Sequence, residues 1–398
     1  MKLSQRVQTC ELSPMRKFHP FAVEAQAKGR KIYHLNIGQP DIATPQVYFD
    51  AVRNFADPVL EYAESPGVPS YLHAVQAYYA RLGAHYEEAD ILATTGGSEA
   101  LSILMQCILD PGSEVLIPEP YYPNYATFIR AACGQVCPIP TTPEEGYHYA
   151  DRAKIEALIH ENTRAIMITN PSNPTGVTLT AEERQMLLDV AREHDIYLIC
   201  DEVYREFFYN GEGLVTMGTL DDPNGNLVII DSVSKRFSAC GARIGCLISK
   251  NKALMAEAMK FCQARLSVAT LDQVAAAALY TVDQHYFDEM RLEYQRRRDT
   301  VMEKLRTIPG VTCRTPDGAF YLMAALPIDD ADRFQQWLLT DFEDHGETVM
   351  FSPGHSFYAT PGKGVNEIRI AYILKEEDLS RAMDLLALGI KAYQKAML

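Results

Sequence analysis

One lysine in this sequence stands where covalent chemistry is favoured. Lys235 follows the apolar run 227–231, and a continuous apolar run is typical of a parallel strand that is covered on both faces. Open α/β sheets bind ligands beyond the carboxyl ends of such strands, so Lys235 falls where a ligand is expected. Loss of water and repulsion from nearby Arg243 would favour its neutral, nucleophilic amine. The position predicts a lysine that forms a Schiff base with a carbonyl group.

The residues around Lys235 are suited to hold an anion. Ser232 and Ser234 precede the lysine, and Gly241 and Arg243 follow it. Hydroxyl, backbone N–H and guanidinium donors at these positions would form a basic pocket that suits a phosphate group. The alternative is a surface lysine in a polar loop, which the fixed spacing of these donors disfavours.

A second anion site is predicted at Gly96, Gly97 and Ser98. Apolar residues follow at helical spacing from Leu101 to Ile108, so these three residues fall at the N-terminus of a helix. Unpaired amides and the positive end of the helix dipole favour a phosphate there. An ordinary helix cap is the alternative interpretation of the same residues.

Two charged residues occur in apolar surroundings and need partners. Asp201 ends the apolar stretch 196–200, and a buried carboxylate is costly unless a cation or several donors meet it. Arg369 lies in the strand pattern 366–372, where a bidentate carboxylate would satisfy its guanidinium. A helix cap for Asp201 and a structural ion pair for Arg369 are the alternatives.

The pattern Ser-x-Ser-Lys-x-x-Ser-x-x-Gly-x-Arg-x-Gly over residues 232–245 resembles the pyridoxal-phosphate attachment motif of class I aminotransferases, which have fold type I. Other motifs of these aspartate aminotransferase-like enzymes follow in the same order along essentially the whole chain. They are Asn-x-Gly-x-Pro-Asp at 36–41, a tyrosine ahead of a glycine at 62–67, Gly-Gly-Ser at 96–98, Asn-Pro-x-Asn-Pro-Thr-Gly at 170–176, Asp-Glu-x-Tyr at 201–204 and Arg-Ile-x-Tyr at 369–372. The sequence thus resembles the class I/II pyridoxal-phosphate-dependent aminotransferases.

This resemblance implies a cofactor, pyridoxal 5′-phosphate, and a role for each matching residue. Lys235 would carry the cofactor, Asp201 would pair with its ring nitrogen, and Tyr204 would bind its phenolic oxygen. These three are the implied catalytic residues. The implied cofactor-binding residues are Tyr62, Gly97, Ser98, Tyr122, Asn173, Asp201, Tyr204, Ser232, Ser234, Lys235 and Arg243, with Tyr122 stacked on the ring. The implied substrate-binding residues are Gly38, Asn173 and Arg369, and no metal is expected.

The implied activity is amino-group transfer between an L-amino acid and a 2-oxo acid such as 2-oxoglutarate. Lys235 would release the cofactor to the substrate amine and then act as the general base. Arg16 or Lys17 could receive a distal carboxylate, which would favour aspartate or glutamate, and a surface charge is the alternative for both. A pyridoxal-phosphate-dependent carbon–sulfur β-lyase of the same fold, with the same lysine, remains the alternative function.

The fold implied by the resemblance is the α/β fold of type I pyridoxal-phosphate-dependent transferases. A large domain over residues 46–285 would contain a mostly parallel seven-stranded sheet flanked by helices. A smaller α+β domain would combine residues 1–45 and 286–398, and it would close over the substrate. Tyr62 would reach the cofactor phosphate of a partner subunit, which implies a homodimer with shared active sites.

Composition narrows the remaining function classes. The chain has 398 residues, of which 47% are hydrophobic and 22% charged, as expected of a globular protein. Its net charge of −15 disfavours binding to nucleic acid. The sequence has no signal-like start and no apolar stretch of membrane-spanning length, so we expect no membrane association and a cytoplasmic location. Its nine cysteines are scattered, which favours free thiols over a metal site.

Three local patterns give further expectations. A short strand should end at Gly38, and helical sequence should run from residue 251 to about residue 280. The arginine triplet 296–298 has acidic neighbours, which indicates a solvated helix face.

Overall fold

The computed structural model describes residues 1–10, 16–209 and 215–396. Residues 13–15, which precede the predicted cation at Arg16, lie outside these ranges. The strands are β1 (Lys31–His34), β2 (Ile91–Thr94), β3 (Glu114–Pro118), β4 (Gln135–Ile139), β5 (Thr163–Thr169), β6 (Tyr197–Asp201), β7 (Leu227–Ser232), β8 (Gly245–Ile248), β9 (Tyr321–Ala325), β10 (Glu347–Met350), β11 (Ser352–Pro353) and β12 (Glu367–Ala371).

The α-helices surround these strands, and one of them begins at the predicted glycine cluster. They are α1 (Gln5–Gln8), α2 (His19–Ala27), α3 (Gln46–Arg53), α4 (Pro69–Arg81), α5 (Gly96–Ile108), α6 (Asn124–Ala131), α7 (Arg152–Glu156), α8 (Ala181–Glu193), α9 (Lys252–Arg265), α10 (Thr270–Leu279), α11 (Gln284–Leu305), α12 (Ala331–Thr340) and α13 (Glu376–Ala396). Within the described ranges, no helix is both long enough and apolar enough to cross a membrane.

The largest sheet has seven strands in the order β2-β8-β7-β6-β5-β3-β4. Strands β3 to β7 pair in parallel, and β8 is antiparallel to both of its neighbours. Every residue of β7 is buried, as expected for a strand that is covered on both faces. The predicted mostly parallel, seven-stranded α/β sheet is confirmed. The carboxyl ends of its parallel strands meet along one edge.

Two smaller sheets contain the N-terminal strand and the strands near the C-terminus. One pairs β1 with β10 in parallel, and the other has the antiparallel order β11-β12-β9. The prediction that the first strand ends at Gly38 was wrong, because β1 ends at His34, opposite the last residue of β10. The Leu35 N–H still bonds to Met350, but the Leu35 carbonyl accepts a hydrogen bond from Ala371 of β12. The chain therefore passes from one small sheet to the other at this point.

The helical sequence predicted from residue 251 to about residue 280 forms two helices, α9 and α10. Leu266 has a φ of 76°, which ends α9. The buried Gln273 side chain stabilises the break, since its Nε2 donates to Val268 O at 3.0 Å and its Oε1 accepts from Val68 N at 2.9 Å. The first bond satisfies a carbonyl that a continuous helix would pair, and the second satisfies the N–H of Val68, the residue before α4.

The arginine triplet was predicted to lie on a solvated helix face, and this was wrong for Arg297. Its side chain is buried and donates to Asp41 at 2.6 Å and to Glu293 at 2.8 Å. Arg296 is exposed, as predicted. Sequence spacing to acidic neighbours on the same helix does not reveal Asp41, which is distant along the chain.

A buried ion cluster lies at the end of β7, directly before the predicted reactive lysine. Asp231 is fully buried and accepts hydrogen bonds from Arg236, from Tyr79 Oη at 3.0 Å and from Arg205 Nη2 at 3.3 Å. Arg205 also pairs with the buried Glu202. Because two guanidinium groups depend on Asp231, its loss would leave buried positive charge without compensation.

We predict that Asp231→Ala strongly destabilises the protein. Uncompensated buried charge costs about 3–5 kcal/mol, which urea or thermal unfolding followed by circular dichroism would measure. The control is Asp50→Ala, because Asp50 forms an exposed pair with Arg53, and such pairs contribute about 0–1 kcal/mol. Equal effects of the two substitutions would contradict the importance of the cluster.

Candidate active site

A cavity of about 680 Å³ lies between the carboxyl edge of the seven-stranded sheet and the two smaller sheets. It brings together almost all of the residues that the sequence singled out. Those that line it are Gly38, Gly97, Ser98, Tyr122, Asn173, Asp201, Tyr204, Ser232, Ser234, Lys235, Arg243 and Arg369. Residues that are far apart along the chain therefore share one ligand-sized space.

Lys235 lies in the turn after β7, and its amine reaches across the cavity to the N-terminal segment. Its Nζ donates to Gly38 O at 2.9 Å and lies 3.7 Å from the sulfur of Cys240. A Cβ atom on residue 38 would lie 1.7 Å from the Tyr321 hydroxyl, so only glycine fits there. The close approach of this backbone keeps the lysine amine directed into the cavity.

Donors converge at the N-terminus of α5. Gly96 has a φ of +73°, and a Cβ atom there would lie 2.6 Å from Arg243 Nη2, so the guanidinium packs directly against the backbone. Nearby, at the carboxyl end of β7, the Ser232 hydroxyl donates a hydrogen bond to Ser234 Oγ at 2.7 Å. Amides at a helix N-terminus, a guanidinium and hydroxyls together suit a doubly charged anion such as a phosphate group.

Asp201 is a buried carboxylate at the end of β6. It accepts hydrogen bonds from Tyr125 Oη at 2.7 Å and from Val203 N at 3.2 Å. Among the described residues no cationic side chain forms an ion pair with it. Burial raises the pKa of Asp201 to about 6, although the bonds from Tyr125 and Val203 oppose this rise. A cation bound in the cavity would complete the site.

A chain of hydrogen bonds crosses the cavity from Tyr321 to Arg369. The Tyr204 and Tyr321 hydroxyls are 3.1 Å apart, and Asn173 Nδ2 donates to Tyr204 Oη at 3.4 Å. Asn173 Oδ1 in turn accepts from Arg369 Nη1 at 3.2 Å. Arg369 also donates to Asn36 O at 2.7 Å, and burial lowers the pKa of its guanidinium. A carboxylate in the cavity would favour the charged form of Arg369.

The ring of Tyr122 lines the cavity and is held by two neighbours. Asn124 Nδ2 donates to its hydroxyl at 2.6 Å, and the Tyr125 ring meets it edge-on with centroids 5.4 Å apart. A fixed aromatic face of this kind can stack on a flat heteroaromatic ligand.

Tyr62 is the predicted site residue that does not line this cavity. Its side chain is 81% exposed and lies in a shallow depression with Val59, Leu60 and Thr270. Its predicted role is a contact with a partner subunit, and its side chain is exposed to solvent, where a partner subunit could reach it.

Several residues of the cavity were missed by sequence reasoning. Tyr125, which bonds to Asp201, belongs to the same tyrosine-rich segment as Tyr122 but was assigned no role. Tyr321, in β9, likewise had no assigned role. His34 and Cys240 line the cavity, and nothing in their sequence neighbourhoods distinguished them from other scattered histidines and cysteines.

Metal binding finds no support in the part of the chain that the structure describes. No group of three or more histidine, cysteine, aspartate and glutamate side chains there is placed to hold a metal ion. The donors of the cavity instead fit an organic ligand with a phosphate group, a cationic ring nitrogen and a carbonyl group.

Comparison with known proteins agrees with this geometry. The sequence profile of the family "Aminotransferase class I and II" matches residues 30–386. The aspartate aminotransferase of Bacillus subtilis is 32% identical over 394 residues, covering 96% of this chain and 98% of the relative. The aspartate/prephenate aminotransferase of Thermus thermophilus is 32% identical over 389 residues, covering 96% of this chain and 97% of the relative.

A solved structure extends the agreement to the fold. The alanine aminotransferase from Pyrococcus furiosus superimposes with a TM-score of 0.90 at 28% identity, covering 98% of this chain and 100% of that chain. Profile, relatives and fold agree over nearly the whole length, so this chain belongs to the class I and II aminotransferases.

Proposed function

We propose that this aminotransferase transfers the amino group between L-aspartate or L-glutamate and a 2-oxo acid such as 2-oxoglutarate, with pyridoxal 5′-phosphate as its cofactor. The observation that carries the proposal is that Lys235, Asp201 and Arg369 line one cavity of about 680 Å³. These residues supply an amine for a carbonyl group, an anion for a ring nitrogen and a cation for a substrate carboxylate.

The described side chains fit the cofactor at each of its ends. Gly97, Ser98, Ser232, Ser234 and Arg243 would hold the phosphate. Further residues would hold the ring, with Tyr122 stacked on it, Asp201 at its nitrogen, and Asn173 and Tyr204 at its phenolic oxygen. When bound, the cofactor supplies an electron sink for the bond that is broken at the substrate Cα atom. Asp201 strengthens that sink by keeping the ring nitrogen protonated.

Lys235 would move the protons of the reaction. Once its amine is released, Nζ can take the proton from the substrate Cα atom. It can then donate that proton to the carbon atom to which the lysine amine had been attached. In the structure this amine bonds to the Gly38 carbonyl, which holds the lysine beside the segment that borders the substrate. One residue therefore attaches the cofactor and moves the proton.

Arg369 and Asn173 would bind the substrate α-carboxylate together. The guanidinium can offer two parallel donors, and its bond to Asn173 Oδ1 fixes the orientation of that amide. The Nδ2 group of Asn173 is then directed to Tyr204 and to the ligand side of the cavity.

The preference for an acidic substrate rests on Arg16 and on the names of the relatives. Arg16 lines the cavity, whereas Lys17 forms an ion pair with Asp332 at 2.8 Å. Of the two cations considered from the sequence, Arg16 is thus the one placed to meet a distal carboxylate. The relative in Bacillus subtilis is an aspartate aminotransferase, and the relative in Thermus thermophilus is an aspartate/prephenate aminotransferase.

The proposal extends to domains, assembly and location. A large domain over residues 46–285 would carry the cofactor, and a small domain from residues 1–45 and 286–398 would carry Arg369 and close over the substrate. Val59, Leu60 and Tyr62 are exposed together, which supports a homodimer in which Tyr62 reaches the partner's cofactor phosphate. We place the enzyme in the cytoplasm.

The first test is a single turnover without an acceptor. Holoenzyme mixed with L-aspartate should form about one equivalent of oxaloacetate per active site and then stop, because the amino group stays on the enzyme. Addition of 2-oxoglutarate should then release glutamate, which chromatography with mass detection would quantify. The control donor is S-methylcysteine. Continuous formation of pyruvate and ammonia from this donor, with no acceptor present, would instead identify a carbon–sulfur β-lyase.

We predict that Lys235→Ala loses covalent attachment of the cofactor. Borohydride reduction of the wild-type holoenzyme should fix one cofactor on the Lys235 peptide, as seen by mass spectrometry, and the variant should retain none. Turnover should fall by about 100-fold to 10,000-fold, the range that a positioned general base contributes. The control is Lys252→Ala, because Lys252 is exposed and pairs with Glu87 and Asp90. Cofactor fixed on another lysine would refute the assignment.

We predict that Asp201→Asn stabilises the cofactor-free protein but weakens cofactor binding. Since burial raises the pKa of Asp201 to about 6, its contribution to stability is complete below about pH 4 and is lost as the pH rises through 6. The amide avoids this loss, so at pH 8 the variant should be more stable by ~2–3 kcal/mol, and at pH 4 the difference should vanish.

Thermal unfolding at the two pH values and a fluorescence titration with pyridoxal phosphate would measure both effects. The affinity for the cofactor should fall at least about tenfold, since the ring nitrogen loses its charged partner. The control is Asp288→Asn, because Asp288 forms an exposed pair with Arg291. Unchanged cofactor affinity would show that Asp201 does not meet the ring nitrogen.

A further inference from the structure

Three basic side chains from the N-terminal part of the chain line the active-site cavity. His34 ends β1, His19 begins α2, and Arg16 precedes that helix. The segment after β1 leads directly to Asn36, whose carbonyl accepts the hydrogen bond from Arg369 Nη2 at 2.7 Å. His34 is thus two residues along the backbone from the carbonyl that bonds to Arg369, the proposed receptor of the α-carboxylate.

His34 is half-buried, and its ring has an unusual environment. Nδ1 of His34 is buried and has no hydrogen-bond partner of good geometry among the described residues. Oδ1 of Asn36 is likewise buried without such a partner. The Asn36 side chain is close enough to favour the protonated form of the His34 imidazole. Since Nδ1 is buried, Nε2 is the ring nitrogen that a ligand in the cavity can reach.

The empty cavity disfavours the charged form of this histidine. Burial lowers the pKa of His34, and the nearby His19 lowers it further, whereas Asn36 opposes both effects. Near neutral pH the ring is therefore neutral. A neutral ring carries one N–H. If that proton is on Nδ1, where it can be donated to Asn36, then Nε2 has no proton to donate to an anion.

A carboxylate that enters beside His34 reverses this balance. The imidazolium ion can donate through Nδ1 to Asn36 and through Nε2 to the carboxylate at the same time. Negative charge next to a buried imidazole favours its protonated form. The anion and the proton thus bind together, and each raises the affinity of the other.

We propose that His34 is a specificity residue that takes up a proton when the distal carboxylate of a four- or five-carbon dicarboxylic substrate binds. This proposal rests on the proposed aminotransferase function and adds the residue, and the protonation step, by which the enzyme separates acidic from neutral substrates. Arg16 supplies further positive charge around the same carboxylate.

His19 of α2 is the other titratable group that acts on the ring of His34, and the His34 variants below separate the two. Met350 of β10 lies opposite His34 in the sheet, and Met350 carries no charge. The helix α13 also packs on β1, but its Asp378 meets Lys31 at the far end of that strand. Further polar groups line the same cavity, and they are Tyr122, Asp201, Tyr204, Lys235, Arg243, Tyr321 and Arg369.

The pH dependence has a definite sign. Proton uptake raises the pKa of His34 in the complex above its value in the free enzyme, so dicarboxylate affinity is greatest at low pH. It should weaken by up to about tenfold per pH unit as the pH rises from the pKa in the free enzyme to the pKa in the complex, and it should level off above that. A monocarboxylate of the same length makes no contact with His34 and should not show this dependence.

The test is calorimetric titration of the holoenzyme with succinate and with butyrate. Heats measured at pH 7 in phosphate and in Tris, whose ionisation enthalpies differ, give the number of protons taken up per ligand. Wild-type enzyme should take up more protons with succinate than with butyrate, by about 0.5 to 1 proton. This readout does not depend on turnover.

Two variants isolate the histidine. The side chains of His34→Gln and His34→Asn can still donate to Asn36 but cannot gain a proton. The variants should therefore take up no more protons with succinate than with butyrate, and their succinate affinity should fall about tenfold or more. Butyrate affinity should stay within about twofold. The control is His73→Gln, because His73 is an exposed histidine of α4 that pairs with Glu88. Thermal unfolding of each variant confirms that it is folded.

Steady-state kinetics give a second readout. In the His34 variants, kcat/KM for aspartate should fall about tenfold or more, whereas kcat/KM for alanine should change by less than about threefold. If a His34 variant still takes up more protons with succinate than with butyrate, the proposed role of His34 is wrong. If neither ligand binds to the wild-type holoenzyme and no amino group is transferred, the proposed function itself fails.

Discussion

A buried carboxylate that lacks an ion pair among the described residues is the constraint on which the rest of the cavity depends. The hydroxyl of Tyr125 and the amide of Val203 stabilise Asp201 only in part, because its pKa is still raised to about 6. Such a group lowers the stability of the empty protein. The arrangement would become favourable with a cationic ring nitrogen in the cavity, and under the proposed function Lys235 and the donors around Gly96 would hold the other ends of that ring.

The sheet topology brings these groups together. Five neighbouring strands run in parallel, so Asp201, Ser232 and the loops that carry Tyr122 and Asn173 all follow carboxyl ends on one edge. Strand β8 runs the other way, and its first residue therefore lies at that edge. This reversal is what allows Arg243, just before β8, to meet Gly96, just after β2. One antiparallel strand thus adds a guanidinium to a site that parallel strands alone would build from their carboxyl ends.

Much of this arrangement was predictable from the sequence, because its signals are local. The apolar run before Lys235 predicted β7, and the spacing after Gly96 predicted the start of α5. The failures share one cause, which is that the deciding partner is distant along the chain. Arg297 was taken as solvated because Asp41 lies 256 residues away, and the break between α9 and α10 depends on a bond from Gln273 to Val68. Tyr125 was missed for the same reason, since only the fold brings it to Asp201, and only the fold brings His34 into the cavity.

The segment between His34 and Gly38 links Arg369, the proposed receptor of the substrate carboxylate, to Lys235, the proposed proton-transfer residue. It leaves one small sheet at Leu35 and joins the other, so its backbone is fixed from both sides. The carbonyl of Asn36 then accepts from Arg369, and the carbonyl of Gly38 accepts from Lys235. A shift of this short segment would change the position of the carboxylate receptor and of the reactive amine together. The Tyr321 hydroxyl leaves room only for glycine at position 38. Strand β9, which carries Tyr321, therefore also limits such a shift. The two small sheets therefore act on the chemistry through this segment, although the lysine itself belongs to the large sheet.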